Sequence, residues 1–162
     1  MAQGDMFLKL EGIEGESQDD KHTDEIDVLS FSWGVSNAGS SYAMGGSGVG
    51  KADFHDVSFA KFTDKSSCDL AMACASGKHI DDAVLILRKA GGEDQLEYLK
   101  YTFEDVFITS FQTSGSGGSE LPTESFSLSY GKVSIEYQKQ KEDGTGEKAG
   151  EMNWSLKKGK KD

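Results

Sequence analysis

The 162-residue chain has a single proline, Pro122, two cysteines, no long apolar run, and 17 Lys and Arg against 28 Asp and Glu. Each scarcity excludes something. Two cysteines cannot build the disulfide framework on which small secreted domains rely. Cys68 and Cys74 lie in one predicted helix, separated by a rise of about 9 Å and roughly 120° around its axis. That exceeds the reach of about 7 Å for a disulfide, so two reduced thiols are expected. No stretch approaches the roughly 18 apolar residues of a membrane span. The opening MAQGDMFLKLEG lacks the basic n-region and long apolar core of a signal peptide. Synthesis in a cytoplasm is expected, with export only by a route that reads no such signal. A net charge of −11 argues against nucleic acid, which requires clustered cations to neutralise phosphates. The exception is the lysine-rich end, Lys157 to Asp162, where a flexible basic tail is expected.

What the chain does have is glycine, 20 residues, with 36% hydrophobic and 10% aromatic content, a composition that suits a β-rich protein with many turns. Its length fits one domain over 1–162, enough to bury roughly two-thirds of the unfolded surface. Period-two alternation dominates. Met6, Leu8 and Leu10 share a face. In EIDVLSFSWGVS, Leu29, Phe31, Trp33 and Val35 predict a core face and Ser30, Ser32 and Gly34 a wet one. Ala52–Phe62 reads as a strand, as does Ala83–Lys89. Leu96–Phe111 is too long for one straight strand and predicts a break near Glu104 and Asp105. Phe126, Leu128 and Tyr130 are even-numbered whereas Val133, Ile135 and Tyr137 are odd, a phase slip at Gly131 and Lys132 that predicts a bulge. Met152, Trp154 and Leu156 give a short last strand. Polar, glycine-rich loops are expected at 11–23, 36–51, 114–122 and 141–150. KSSCDLAMACASGK predicts one helix over about 67–76, with Ser66 or Ser67 as N-cap and Gly77 as its stop. The sum is a mainly β fold, an antiparallel barrel or sandwich of about eight or more strands with one short helix.

Candidate chemistry is thin. Gly45, Gly50 and Lys51 in AMGGSGVGKAD have the Gly-x4-Gly-Lys spacing of a phosphate-binding loop. Such a loop follows a buried strand, opens a helix and ends in Ser or Thr. Here polar Ser36–Tyr42 precedes it, a predicted strand follows, and Ala52 and Asp53 stand where a hydroxyl is needed. His22, His55 and His79 have no metal-ligand spacing and read as surface side chains. Cys74 lies among Leu70, Ala71, Ala73 and Ala75, where a thiol behaves as a small hydrophobe. The paired carboxylates Asp19–Asp20 and Asp81–Asp82 fall in loops or at strand starts, which describes a solvated face. No catalytic residue, metal site or cofactor is expected, and no enzyme.

The segments DMFLKLEGIEGES, EIDVLSFSWGVSN, GKADFHDVSFAKFTDKSS, ACASGKHIDDAVLILRKAGG, EYLKYTFEDVFITSF and TESFSLSYGKVSIEY resemble, in order and spacing, the haemolysin-coregulated protein (Hcp) family of bacterial type VI secretion systems. The likeness runs from Met6 to about Tyr137. It implies an antiparallel barrel with one helix, assembled into homohexameric rings that stack beneath a spike protein and inside a sheath. Effectors would travel in the lumen and the protein itself would be secreted through the apparatus. It also implies that the stretch from Ser36 to Lys51 reaches an adjacent subunit or ring through Ser36, Asn37, Gly39, Ser40, Ser41, Tyr42, Met44, Gly45 and Gly46, its glycines supplying reach. If Leu29, Phe31 and Trp33 fill the core, Ser30 and Ser32 line the lumen. A ring requires a head-to-tail contact of the chain with itself. The competing expectation is a monomeric barrel that binds one ligand or effector as a soluble module or chaperone.

Overall fold

The computed structural model describes residues 4–38, 51–92 and 94–162. In chain order the elements are β1 (Asp5–Leu10), β2 (Ile26–Asp27), β3 (Ser30–Ser32), β4 (Val35–Asn37), β5 (Ala52–Phe54), β6 (Val57–Phe62), α1 (Ser67–Ser76), β7 (His79–Lys89), β8 (Leu96–Ser114), β9 (Thr123–Ser129), β10 (Lys132–Gln140), β11 (Gly146–Ser155) and β12 (Lys160–Lys161). Every strand pairing among them is antiparallel. The main sheet runs β12-β11-β10-β8-β7-β1-β2, and a branch leaves β8 through β9 and β6 to β3. It surrounds a core that includes Leu8, Val57, Phe59, Leu85, Phe103, Val106, Phe126, Leu128 and Val133. Strand pairing alone does not close the wall. The gap between β1 and β6 is spanned by residues 26–32: Val28 N–H donates to Met6 O at 3.1 Å and Leu29 N–H to Ala60 O at 2.8 Å.

That arrangement corrects the predicted core face. Because β2 pairs with β1, β3 with β6 and β4 with β5, the chain turns at Val28–Leu29 and again at Trp33–Gly34, and one period of two cannot run through all three. Phe31 and Trp33 pack against the core. Leu29 and Val35 point outward, 47% and 44% exposed.

The long strand bends without breaking. Asp105 of β8 has φ 55, and there one edge of β8 changes partner: Leu99–Glu104 pair with β10 and Phe107–Ser114 with β9. Inward residues switch from Tyr101 and Phe103 to Val106 and Ile108 in β8, and from Leu128 and Tyr130 to Val133 and Ile135 across it. The phase slip at Gly131 falls between β9 and β10, a strand break where the sequence predicts a bulge, and it lies beside the bend at Asp105, so the wall turns a corner there. His79 Nε2 lies 3.1 Å from Asp105 Oδ1, and Lys157 Nζ 3.1 Å from Oδ2. Lys157 first, then His79, holds that carboxyl below its ordinary value.

The far end of the chain is more ordered than the sequence suggests. Residues 141–145 form a tight turn, and β11 starts at Gly146, inside the predicted loop. The lysine-rich end, expected as a flexible tail, folds back so that Lys160 and Lys161 pair with Ser155 and Trp154, and Asp162 forms an ion pair with Lys132.

Helix α1 spans the predicted residues and lays Leu70 and Ala73 against the core. Gly77 ends it at φ 65, with Lys78 N–H bonded to Ala73 O at 3.1 Å, the left-handed stop that glycine favours. Ser66 caps the helix without a side-chain bond. What ties α1 down is a buried ionic group. Lys61 on β6 is fully buried; its ammonium donates to Glu124 Oε1 at 2.6 Å, Asp64 Oδ1 at 2.9 Å, Ser67 Oγ at 3.1 Å and Phe62 O at 3.1 Å. Ser67 and Thr63 hydroxyls donate to the same Glu124 carboxylate. Four acceptors surround the three N–H donors of the ammonium and satisfy it without water.

The loop before β2 is also folded rather than merely polar. Phe7, on the outer face of β1, is 4% exposed because His22 stacks on it at 4.5 Å and the Arg88 guanidinium lies 4.8 Å from its ring. His22, predicted at the surface, is thus buried, with its ring nitrogens 2.9 Å from Glu25 and 2.7 Å from Glu97. Arg88 donates to both Asp19 oxygens, at 2.9 and 2.6 Å, and to Asp5 at 3.0 Å. The guanidinium holds Asp19 at about 2, below its ordinary 3.8. Between those values the unfolded chain binds the proton and the native chain does not, so this stabilisation is full above pH 3.8 and is lost as pH falls toward 2. Asp19→Asn is expected to cost about 2 kcal/mol at neutral pH and to flatten the acid limb of a denaturation curve; an unchanged limb would show that the pair does not contribute.

Candidate interaction surfaces

The outward face of the β3-β6-β9-β8 branch consists mainly of small uncharged side chains, with Phe62 and Phe107 exposed toward its ends, although 28% of the chain is charged. Cross-strand register places Ser32, Ser58, Ser127 and Ser110 in one row and Ser30, Ala60, Ser125 and Gln112 in the next. The pattern follows from the strands themselves. In β6 and β9 every second residue is buried (Val57, Phe59, Lys61; Glu124, Phe126, Leu128), which leaves Ser58, Ala60, Ser125 and Ser127 to the other side. A register shift between Ile108 and Ser110 leaves both Thr109 and Ser110 exposed. Ser110 and Ser127 hydroxyls lie 2.6 Å apart, Thr109 and Ser127 2.8 Å. Thr109 also donates to Asp56 at 2.8 Å, the charged boundary at one end. Phe62 and Leu121, 48% and 50% exposed, form an apolar lip at the other. Ser30 and Ser32 are both on this face, as predicted from their alternation. The partners from β6, β8 and β9 were not anticipated, although SFSLS at 125–129 carries the same signal.

Of the residues assigned to a reaching loop, Ser36 and Asn37 lie in β4. They pair with Asp53 and Ala52, so the stretch begins as a β-hairpin stem. Gly39, Ser40, Ser41, Tyr42, Met44, Gly45 and Gly46 fall outside the described residues. At the stem's base His55 N–H donates to Gly34 O at 3.0 Å, and a Cβ on Gly34 would stand 3.1 Å from the His55 ring. Phe54 of the stem lies 5.5 Å from Trp154 and 6.3 Å from Trp33, seating the hairpin beside the C-terminal turn.

The two remaining histidines are exposed, as expected. Both cysteines are free, Cys68 at the surface and Cys74 half-buried. Among the described residues no three His, Cys, Asp or Glu side chains converge as a metal site, and no helix is long and apolar enough to cross a membrane.

The family model of "Type VI secretion system effector, Hcp" matches residues 7–137. The chain belongs to the Hcp family. It is 46% identical over 140 residues to the protein hcp1 of Pseudomonas aeruginosa, covering 86% of each chain. Among solved structures, one described as a type six secretion system protein superposes with a TM-score of 0.91 at 34% identity, covering 99% of this chain and all of the other. Hcp1 from Salmonella typhimurium gives 0.78 at 38% identity over 99% of both chains. A type VI secretion system effector from Yersinia pestis gives 0.74 at 37%, over 93% and 99%. The Hcp relationship thus covers the hydroxyl face, the hairpin stem and the C-terminal turn alike.

Proposed function

We propose that this Hcp-family chain is a structural tube component of a type VI secretion system, a one-domain subunit that forms stacked homohexameric rings and carries effectors through their lumen without turning over a substrate. The observation that carries this reading is the four-strand hydroxyl face. A surface that is broad, regular and nearly uncharged on a chain of net charge −11 suits a channel wall that contacts many cargoes through hydrogen bonds. Head-to-tail contacts close such a ring, and the β4–β5 hairpin supplies a protruding element for them. The spike, sheath and effectors are the remaining partners. The protein is made in the cytoplasm and leaves through the apparatus.

Native mass measurement and negative-stain microscopy test the assembly. Rings or tubes at micromolar concentration are expected, and a monomer at every concentration would refute the reading. The lumen assignment has its own test. Ser32→Gln is expected to leave rings intact while lowering effector retention by tenfold or more in co-purification; undiminished retention would remove Ser32 from the lumen.

A further inference from the structure

The β4–β5 hairpin joins the barrel through two connectors, Trp33–Gly34 on the way out and His55–Asp56 on the way back. One hydroxyl engages both. Trp33 Nε1–H donates to Tyr130 Oη at 2.7 Å, and the Tyr130 hydroxyl donates to His55 O at 2.7 Å. Tyr130 stands at the corner where β9 gives way to β10, is 7% exposed, and packs its ring 4.9 Å from Phe103. Burial pushes its hydroxyl up to about 12, so the donor keeps its proton throughout the neutral range. The Thr109 hydroxyl of β8 also reaches the return connector, donating to the exposed Asp56 carboxylate at 2.8 Å, but it holds that connector alone. The remaining contacts of the base are of a different kind. His55 N–H to Gly34 O and Ser36 Oγ to His55 Nε2, at 3.0 and 3.2 Å, run between the hairpin's own two strands and leave its angle to the barrel free. The ring contacts of Trp33 with Tyr101, 5.9 Å, and of Phe54 with Trp154, 5.5 Å, tolerate tilt better than a hydrogen bond does.

We propose that Tyr130 is a positioning residue for assembly: its hydroxyl sets the direction in which the hairpin leaves the barrel, and a second copy of the chain recognises the hairpin in that direction. The inference rests on the tube reading above. Three stem residues extend about 10 Å from the base, so a tilt of roughly 15° displaces Asn37 and Ala52 by about 2.6 Å, beyond the tolerance of about 0.5 Å that a shaped contact allows. The fold does not need the hydroxyl in the same way. A phenylalanine fills the same volume against Phe103, and because Trp33 is half-buried and His55 exposed, water can replace the lost partner.

Tyr130→Phe separates direction from stability. By sedimentation, its ring assembly is expected to need at least tenfold more protein than wild type. Leu70→Ala, a core truncation on α1, is expected to lower Tm at least as far while assembling within twofold of wild type. Trp33→Phe, which removes the donor on the other side of the same bond, is expected to raise the requirement as Tyr130→Phe does. Assembly of Tyr130→Phe at the wild-type concentration, or an equal loss in Leu70→Ala, would overturn the inference and leave the tube reading standing. A wild-type chain without rings would overturn both.

Discussion

Lys61→Met is expected to destabilise the protein by about 3–5 kcal/mol, the usual cost of removing one member of a buried ion pair. For a chain of this size that is a fall of roughly 6–20 °C in Tm. The methionine fills the space of the lysine stem, so the loss is electrostatic. It leaves Glu124, 4% exposed, as a buried carboxylate without its cation, and deprives Asp64 and Ser67 of a donor. Since these residues join β6, β9 and the start of α1, hydrogen exchange in the helix should rise with the loss of stability. Lys61→Met with Glu124→Gln is the decisive partner: a neutral amide still accepts from Ser67 and Thr63 and carries no unpaired charge, so the double variant should recover about half of the deficit. If the double variant is no more stable than the single one, packing rather than charge accounts for Lys61.

Much of this molecule was legible from alternation and breakers. The helix at 67–76 followed from its glycine stop, and the antiparallel β class from period two. The run too long for one straight strand marked Glu104 and Asp105, where the sequence predicts a break and the strand instead bends, and the change of parity marked Gly131. Other features depended on residues far apart in sequence. Leu29 and Val35 alternate with Phe31 as core residues do, yet three successive short strands pair with three different partners, and no local pattern reveals where a partner changes. His22 reads as a polar loop residue until Phe7 and Glu97 converge on it. Lys61 has the parity of a core position between Phe59 and Thr63, a clue that goes unused because an isolated buried ammonium is prohibitive; the acids that make it tolerable come from positions 64 and 124. The hydroxyl face was half visible. Ser30 and Ser32 declare it, but its width arises only when cross-strand register aligns them with Ser58, Ser127 and Ser110.

That width leads to the second large effect. Ser127→Glu introduces a carboxylate in the middle of the face, flanked by Ser58 and Ser110 in its own row and by the Thr109 hydroxyl. The protein has ample donors to hold it, so the fold and its Tm should change little. In a closed ring, however, every subunit contributes the same charge to one narrow space, where like charges repel and effectors must present a matching cation or leave the carboxylate unpaired. An unsatisfied charged group costs upward of about 1–3 kcal/mol, and several acting together should lower retention of a bound effector by on the order of a hundredfold, an effect partly relieved by salt. Ser127→Ala removes a hydroxyl and adds no charge, so it should lose far less. The measurement is co-purification of effector with preformed rings, with ring integrity checked by native mass. Equal retention by Ser127→Glu and wild type would mean that this face looks outward from the tube, and the lumen would then have to be sought on another wall of the barrel.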